Sequence, residues 1–253
     1  MKQFTDAQIK NSPWFKQWFD SHHYHNLYKN RNDEEAAGFI DALLDLLEPA
    51  TDSKMIDVGC GAGRHCRQLA NGPFDVWGID LSGQSIRQAK KFESANLHFF
   101  QYDMRRPYGK NYFNYVFNFF TSFGYFENED EHNRVIENMA NALKAEGTLV
   151  IDYMNADYSQ SNLLPFEEKE IDGVIYDIER WSDDGQFLKR IKIKDPKTEI
   201  AEHIERVAKF KLEHFEKMLK LAGMKIQSVY GDYQLNEFDL SNSPRLIMIA
   251  KKM

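Results

Sequence analysis

The chain has 253 residues, 42% hydrophobic and 28% charged, enough for one well-buried core with a small accessory element. Its formal net charge of −7 disfavours a surface that tracks nucleic-acid phosphates. No run approaches the ~20 apolar residues that cross a bilayer, and the start MKQFTDAQIKN lacks a signal-peptide core. A cytoplasmic protein without membrane or nucleic-acid partners is expected.

From Pro13 to Arg31, Trp14, Phe15, Trp18, Phe19, Tyr24, Leu27 and Tyr28 recur at helical intervals and predict one or two amphipathic helices. His22, His23 and His25 lie close together, but no acid joins them at metal-ligand spacing, so no metal site is expected. Asp33 can cap the next helix, whose apolar positions Ala36, Phe39, Ile40, Leu43, Leu44 and Leu47 follow the 3.6-residue period until Pro49 stops it.

The stretch MIDVGCGAGRHCRQLA, Met55 to Ala70, then reads as strand, tight loop and helix. Met55, Ile56 and Val58 suit a central parallel strand, while Gly59, Gly61 and Gly63 allow backbone conformations and a close ligand approach that a Cβ would forbid. Asp57 near the strand end suits a ligand's ammonium or hydroxyl. Cys60 and Cys66, the only cysteines, have no second pair and read as packing residues rather than a disulfide or zinc site. The following strand, Phe74 to Ile79, ends in Asp80, near the offset at which a βαβ unit holds a ribose with a carboxylate.

Ser82 can cap a helix to about Phe92, and NLHFFQYD gives a third strand with Asp103 just past its end. Tyr112 to Phe120 is a fourth strand, running into TSFGYF. In an open α/β sheet ligands sit beyond the carboxyl ends of the strands, so Phe119, Thr121, Ser122, Phe123 and Tyr125 are expected at the same mouth as Gly61 and Asp80. A helix over Glu129 to Lys144 and a strand over Thr148 to Tyr153 follow. Between about Tyr158 and Lys209, three alternating segments (GVIYDIERW, QFLKRIKIKD and EIAEHIERVAKF) predict an antiparallel meander inserted on the ligand side. Leu212 to Leu221 forms the last helix, and two strands, MKIQSVYGDY and SPRLIMIAKK, complete the pattern.

Taken together, DVGCGAG, GIDLS, QYDMR, SFGYF and NALKAEGTLVIDYMN make the chain, from roughly Lys54 to Lys252, resemble the class I S-adenosylmethionine-dependent methyltransferases. The resemblance implies an α/β fold, a doubly wound, mostly parallel seven-stranded sheet with an N-terminal helical lid and an antiparallel β insertion. The expected divisions are a lid over 1–32, a core over 33–156 and 208–253, and an insertion over 157–207 that shapes an acceptor pocket or a homodimer contact. S-adenosyl-L-methionine is the implied cofactor, held by Asp57, Gly59, Gly61, Gly63, Asp80, Leu81, Asp103, Met104, Phe119 and Ser122. Asp103 would accept from the adenine amine, and Tyr24, Tyr28 and Arg31 of the lid would reach the methionine end. The usual LKPGG of the family is LKAEG here, which alters a turn and not the site.

A methyltransferase of this type acts on nitrogen or oxygen of a small-molecule acceptor. No NPPY-like tetrad or Pro-Cys pair offers the base-methylating routes, and Arg64 stands where a dinucleotide fingerprint needs a small residue. Because the sulfonium is already activated, no protein base is obligatory, and Tyr125, His203 and Tyr28 are the candidates for assisting proton loss. The alternative is a protein that binds S-adenosylmethionine or S-adenosylhomocysteine as a sensor or scaffold without methyl transfer.

Overall fold

The computed structural model describes residues 14–29, 33–198 and 200–253. The chain divides into two compact units, one formed by residues 1–31 with 163–209 and the other by 32–162 with 210–253.

The larger unit is an α/β sandwich. Its strands are β1 (Lys54–Val58), β2 (Asp75–Asp80), β3 (Leu97–Gln101), β4 (Phe113–Asn118), β5 (Leu143–Met154), β10 (Met224–Tyr230) and β11 (Arg245–Lys252). They form one seven-stranded sheet in the order β10-β11-β5-β4-β1-β2-β3. The four pairings from β5 to β3 are parallel, and β11 runs antiparallel to both β5 and β10. The parallel strands are apolar on both faces because helices cover both. Helix α3 (Asp33–Leu47) buries Ala36, Phe39, Ile40 and Leu43, a 3.6-period stripe, and carries Asp33, Glu34 and Glu35 in its first turn, where the helix dipole favours acids. With α4 (Arg64–Leu69) and α5 (Gly83–Ala89) it packs Phe39, Ile40, Leu43, Cys66, Leu69 and Ile86 against Met55, Val76, Leu97, Phe99 and Phe117 of the strands. Helix α6 (Glu129–Ala142) starts at Asn128, whose side chain accepts from the Glu131 N–H, and buries Val135, Ile136 and Met139. A short helix, α7 (Ala156–Ser161), follows β5 where the sequence pattern gave no sign of one, and α8 (Leu212–Leu221) precedes β10.

The smaller unit holds α1 (Trp14–Phe19) and α2 (His22–Leu27), the two expected amphipathic helices, and an antiparallel meander of β6 (Phe166–Ile171), β7 (Val174–Ser182), β8 (Gln186–Lys194) and β9 (Ala201–Ala208). The meander has four strands where alternation predicts three. The additional one, β6, reads FEEKEI and is mostly exposed, as an edge strand can be, with only Glu167 and Ile171 half-buried, so it has no apolar period to betray it. Asp172 and Gly173 join β6 to β7 with φ of 52° and 77°, the doubly positive geometry that suits a tight hairpin. Val174, Tyr176, Ile178, Ile191 and Ile193 alternate inward and bury Trp18 and Leu27. Among the described residues no helix is long and apolar enough to cross a membrane, and no cluster of three potential metal ligands occurs.

Candidate functional site

Strand order turns back at β1, which lies between β2 and β4, so the loops leaving these strands meet at the carboxyl end of the sheet. The three glycines after Val58 all have positive φ (86°, 55° and 81°), but they serve different purposes. A Cβ on Gly59 would lie 2.7 Å from Ser122 Cβ, and one on Gly63 would lie 2.5 Å from the Phe99 ring. Those two glycines let the loop pack. A Cβ on Gly61 would meet nothing within 4 Å, so this glycine borders open space. Its N–H donates to Asp80 Oδ2 at 2.8 Å, while the Ser82 N–H donates to Asp80 Oδ1 at 2.8 Å. One carboxylate thereby ties the glycine loop to the start of α5, with Leu81 between them.

Asp57 is 1% exposed. The Cys66 thiol donates to its Oδ2 at 3.7 Å, and its Oδ1 is buried with no partner among the described residues. Burial pushes this carboxyl up to about 7; the Asp80 charge adds to the rise, and the Cys66 thiol and Arg64 oppose it. An unsatisfied buried acceptor of this kind is costly unless a ligand donor reaches it. Cys60 and Cys66 are both buried and free, as packing residues should be, and burial raises both thiols.

After β3, burial would raise the Asp103 carboxyl, but Arg105 outweighs it and holds the group below the usual carboxylate range. The guanidinium donates through Nε to Asp103 Oδ1 at 3.1 Å and through Nη2 to Oδ2 at 2.7 Å, while Nη1 reaches Glu131 at 2.8 Å. Met104 borders Gly59, with its methyl 3.5 Å from where a Cβ would stand. Ser122 flanks the same glycine and donates to its carbonyl at 3.3 Å. Phe119 is 2% exposed and packs on His65 and Phe39, so it backs the site from the core. Tyr125 donates to the Thr121 carbonyl.

Residues 55–147 match a family model described as a methyltransferase domain. A Geobacillus protein named as a methyltransferase is 26% identical over 209 residues, covering 79% of this chain and 84% of that protein. The dTDP-3-amino-3,4,6-trideoxy-alpha-D-glucopyranose N,N-dimethyltransferase of Streptomyces venezuelae is 30% identical over 132 residues, 51% of this chain and 54% of that enzyme. The crystal structure of an S-adenosylmethionine-dependent methyltransferase from Clostridium acetobutylicum superposes with a TM-score of 0.75 at 21% identity, covering 91% of this chain and 96% of that one. The chain carries a methyltransferase domain and is an S-adenosylmethionine-dependent methyltransferase with the class I fold. Its cofactor is S-adenosyl-L-methionine.

Asp57, the three glycines, Asp80, Leu81, Asp103, Met104 and Ser122 thus converge in the larger unit of this methyltransferase. Tyr24 and Tyr28 belong to the smaller unit, where their rings lie 4.8 Å apart and Tyr28 donates to Glu205 at 2.9 Å. Lys189 donates to the Tyr28 hydroxyl, and Trp18 Nε1 reaches the same Glu205 at 2.7 Å. His203 stacks on Trp18 with ring centroids 4.5 Å apart, and burial lowers its pKa. Arg31 lies outside the described residues.

The pattern reading passed over Asp152, Arg245 and Tyr233. Asp152 is 1% exposed, receives Arg245 Nε at 2.7 Å and Nη2 at 2.6 Å, and accepts from the Tyr233 hydroxyl at 3.1 Å. The available signal was an acid inside the apolar strand LVIDYM and an arginine opening RLIMIA, charges that such strands bury only when paired.

Proposed function

We propose that this methyltransferase transfers a methyl group to a nitrogen or oxygen of a small-molecule acceptor, with the amine of an amino sugar as the leading class. The unpartnered Asp57 Oδ1 carries the placement of the cofactor: a buried carboxylate lacking a donor, on the strand that ends at Gly59, suits the ammonium of S-adenosylmethionine. Gly61, with open space where a side chain would stand, lets the ligand approach the backbone. Asp80 would hold the ribose hydroxyls between Gly61 and Leu81. Asp103, held by Arg105, would meet the adenine amine beside Met104, and Ser122 closes the flank.

S-adenosylmethionine supplies an activated methyl group, so the protein's task is to bind, orient and exclude water. Beyond β4 only Ser122 and Tyr125 are half-buried hydroxyls that face the mouth, whereas Thr121, Phe119 and Phe123, expected there from the sequence, are buried behind it, with Phe123 packed among Tyr153, Phe210 and Phe215. The resemblance over half the chain to the Streptomyces venezuelae amino-sugar N,N-dimethyltransferase favours nitrogen.

The test is calorimetric titration with S-adenosylhomocysteine, followed by a labelled-methyl screen of small amines and alcohols that includes nucleotide-linked amino sugars. Micromolar binding, about 8 kcal/mol, with turnover of an amine acceptor supports the proposal. Tight binding with no turnover across the panel replaces it with a sensor or scaffold role. Absence of binding by the folded protein overturns the cofactor placement.

A further inference from the structure

Immediately after β4 the chain makes a turn that side chains disfavour: Phe120 and Thr121, neither a glycine, have φ of 56° and 58°. Two adjacent left-handed residues persist only where the surroundings impose them. Here one residue captures both backbone N–H groups. Asp152 Oδ2 accepts from Phe120 N at 2.7 Å, and the Asp152 carbonyl accepts from Thr121 N at 2.9 Å. Arg245, paired with Asp152 Oδ1, extends Nη2 to Thr121 Oγ1 at 3.1 Å, and its guanidinium lies 5.8 Å from the Phe120 ring centroid. The turn in turn delivers Ser122 to the glycine loop. Ser122 packs against Gly59 and bonds its carbonyl, while the Asn118 amide bridges the carbonyls of Val58 at 2.6 Å and Ser122 at 3.4 Å.

From this continuous set of bonds we infer that Asp152 and Arg245 are positioning residues for cofactor binding, acting through the strained Phe120–Thr121 turn to set the Ser122 wall against Gly59. Neither residue is needed to touch the cofactor. Asp152 stands on β5 and Arg245 on β11, so two strands outside the glycine unit govern the geometry of its loop. The inference rests on the glycine loop being the cofactor site; wild-type binding tests that placement, whereas the variant pattern below tests the latch.

The experiment measures S-adenosylhomocysteine affinity by calorimetry in wild type, Asp152→Asn, Thr121→Gly and the double variant, with folding checked by circular dichroism. Asp152→Asn keeps the main-chain carbonyl that accepts from the Thr121 N–H and weakens the side-chain hold on Phe120; glycine at 121 adopts positive φ without strain and so lowers the cost that the weakened hold must offset. Asp152→Asn should weaken binding about tenfold, Thr121→Gly alone should stay within about twofold, and the double variant should recover most of the loss. General destabilisation from a broken ion pair would not be cured by a glycine in the turn. Should Asp152→Asn fail to fold, Arg245→Lys, which keeps a cation for Asp152 but loses the fork to Thr121, enters the same comparison. Wild-type affinity in the single variant, or a loss that Thr121→Gly leaves uncorrected, overturns the inference.

Discussion

The Cys66 thiol lies 3.7 Å from one oxygen of the Asp57 carboxylate, and the other oxygen has no partner among the described residues. Burial therefore sets the behaviour of this acid and pushes it up to about 7. An unfolded chain gives the group a pKa of about 3.9, so between about pH 4 and 7 the folded state holds more protons and this group's contribution makes stability fall as pH rises. A ligand ammonium needs the ionised form, so S-adenosylhomocysteine affinity should rise up to about tenfold from pH 6 to pH 8, with proton release on binding. Titrations at both pH values in wild type and Asp57→Asn check this. Equal pH dependence in the two proteins contradicts it.

The glycines after β1 should separate by experiment. Gly61→Ala meets no neighbour and bears only the cost of positive φ, about 1 kcal/mol, so it should remain folded while losing cofactor affinity. Gly63→Ala must also displace the Phe99 ring, adding about 1–3 kcal/mol of overpacking. Urea unfolding of the two variants reads the difference, and equal destabilisation would show that Gly61 is a packing residue as well.

Arg105→Ala should release Asp103. The ion pair is partly exposed, so its removal should cost only about 1 kcal/mol or less in stability. Asp103 is held low in the folded state, so its contribution is present above the unfolded-state value and lost as pH falls through the folded one. The variant should raise the Asp103 carboxyl toward the ordinary range and remove this acid sensitivity, visible in the carboxyl carbon shift by NMR.

Trp18 is fully buried in the smaller unit, stacked on His203 and donating to Glu205. Trp18→Ala should destabilise that unit by about 3–5 kcal/mol through the cavity it leaves. Limited proteolysis confined to the meander would report the effect, and unchanged protection would count against a structural role for the indole.

The sheet was legible because its strands are short apolar runs between punctuating glycines, prolines and acids, and α3 because its stripe keeps a strict period up to Pro49. The β insertion was legible wherever one face is buried, and β6 escaped because none of its residues is fully buried. Within the site, Gly59, Gly61 and Gly63 look alike in sequence; only the positions of Ser122 and Phe99 separate packing from access. Asp152 and Arg245 stand 93 residues apart, and no local pattern links a charge in one strand to its counterion in another.

Trp18 and its bond partner Glu205 are separated by 187 positions. At about 5–20 residues per second, a ribosome needs roughly 10–40 s to bring out the second after the first. For that interval the aromatic stretch around Trp18 has emerged without its complete meander, and most of the intervening sequence, residues 32–162, belongs to the larger unit. Synthesis of this methyltransferase therefore includes a long window in which a sticky segment must be shielded by chaperones or by transient collapse, and slow translation between these two residues would lengthen it.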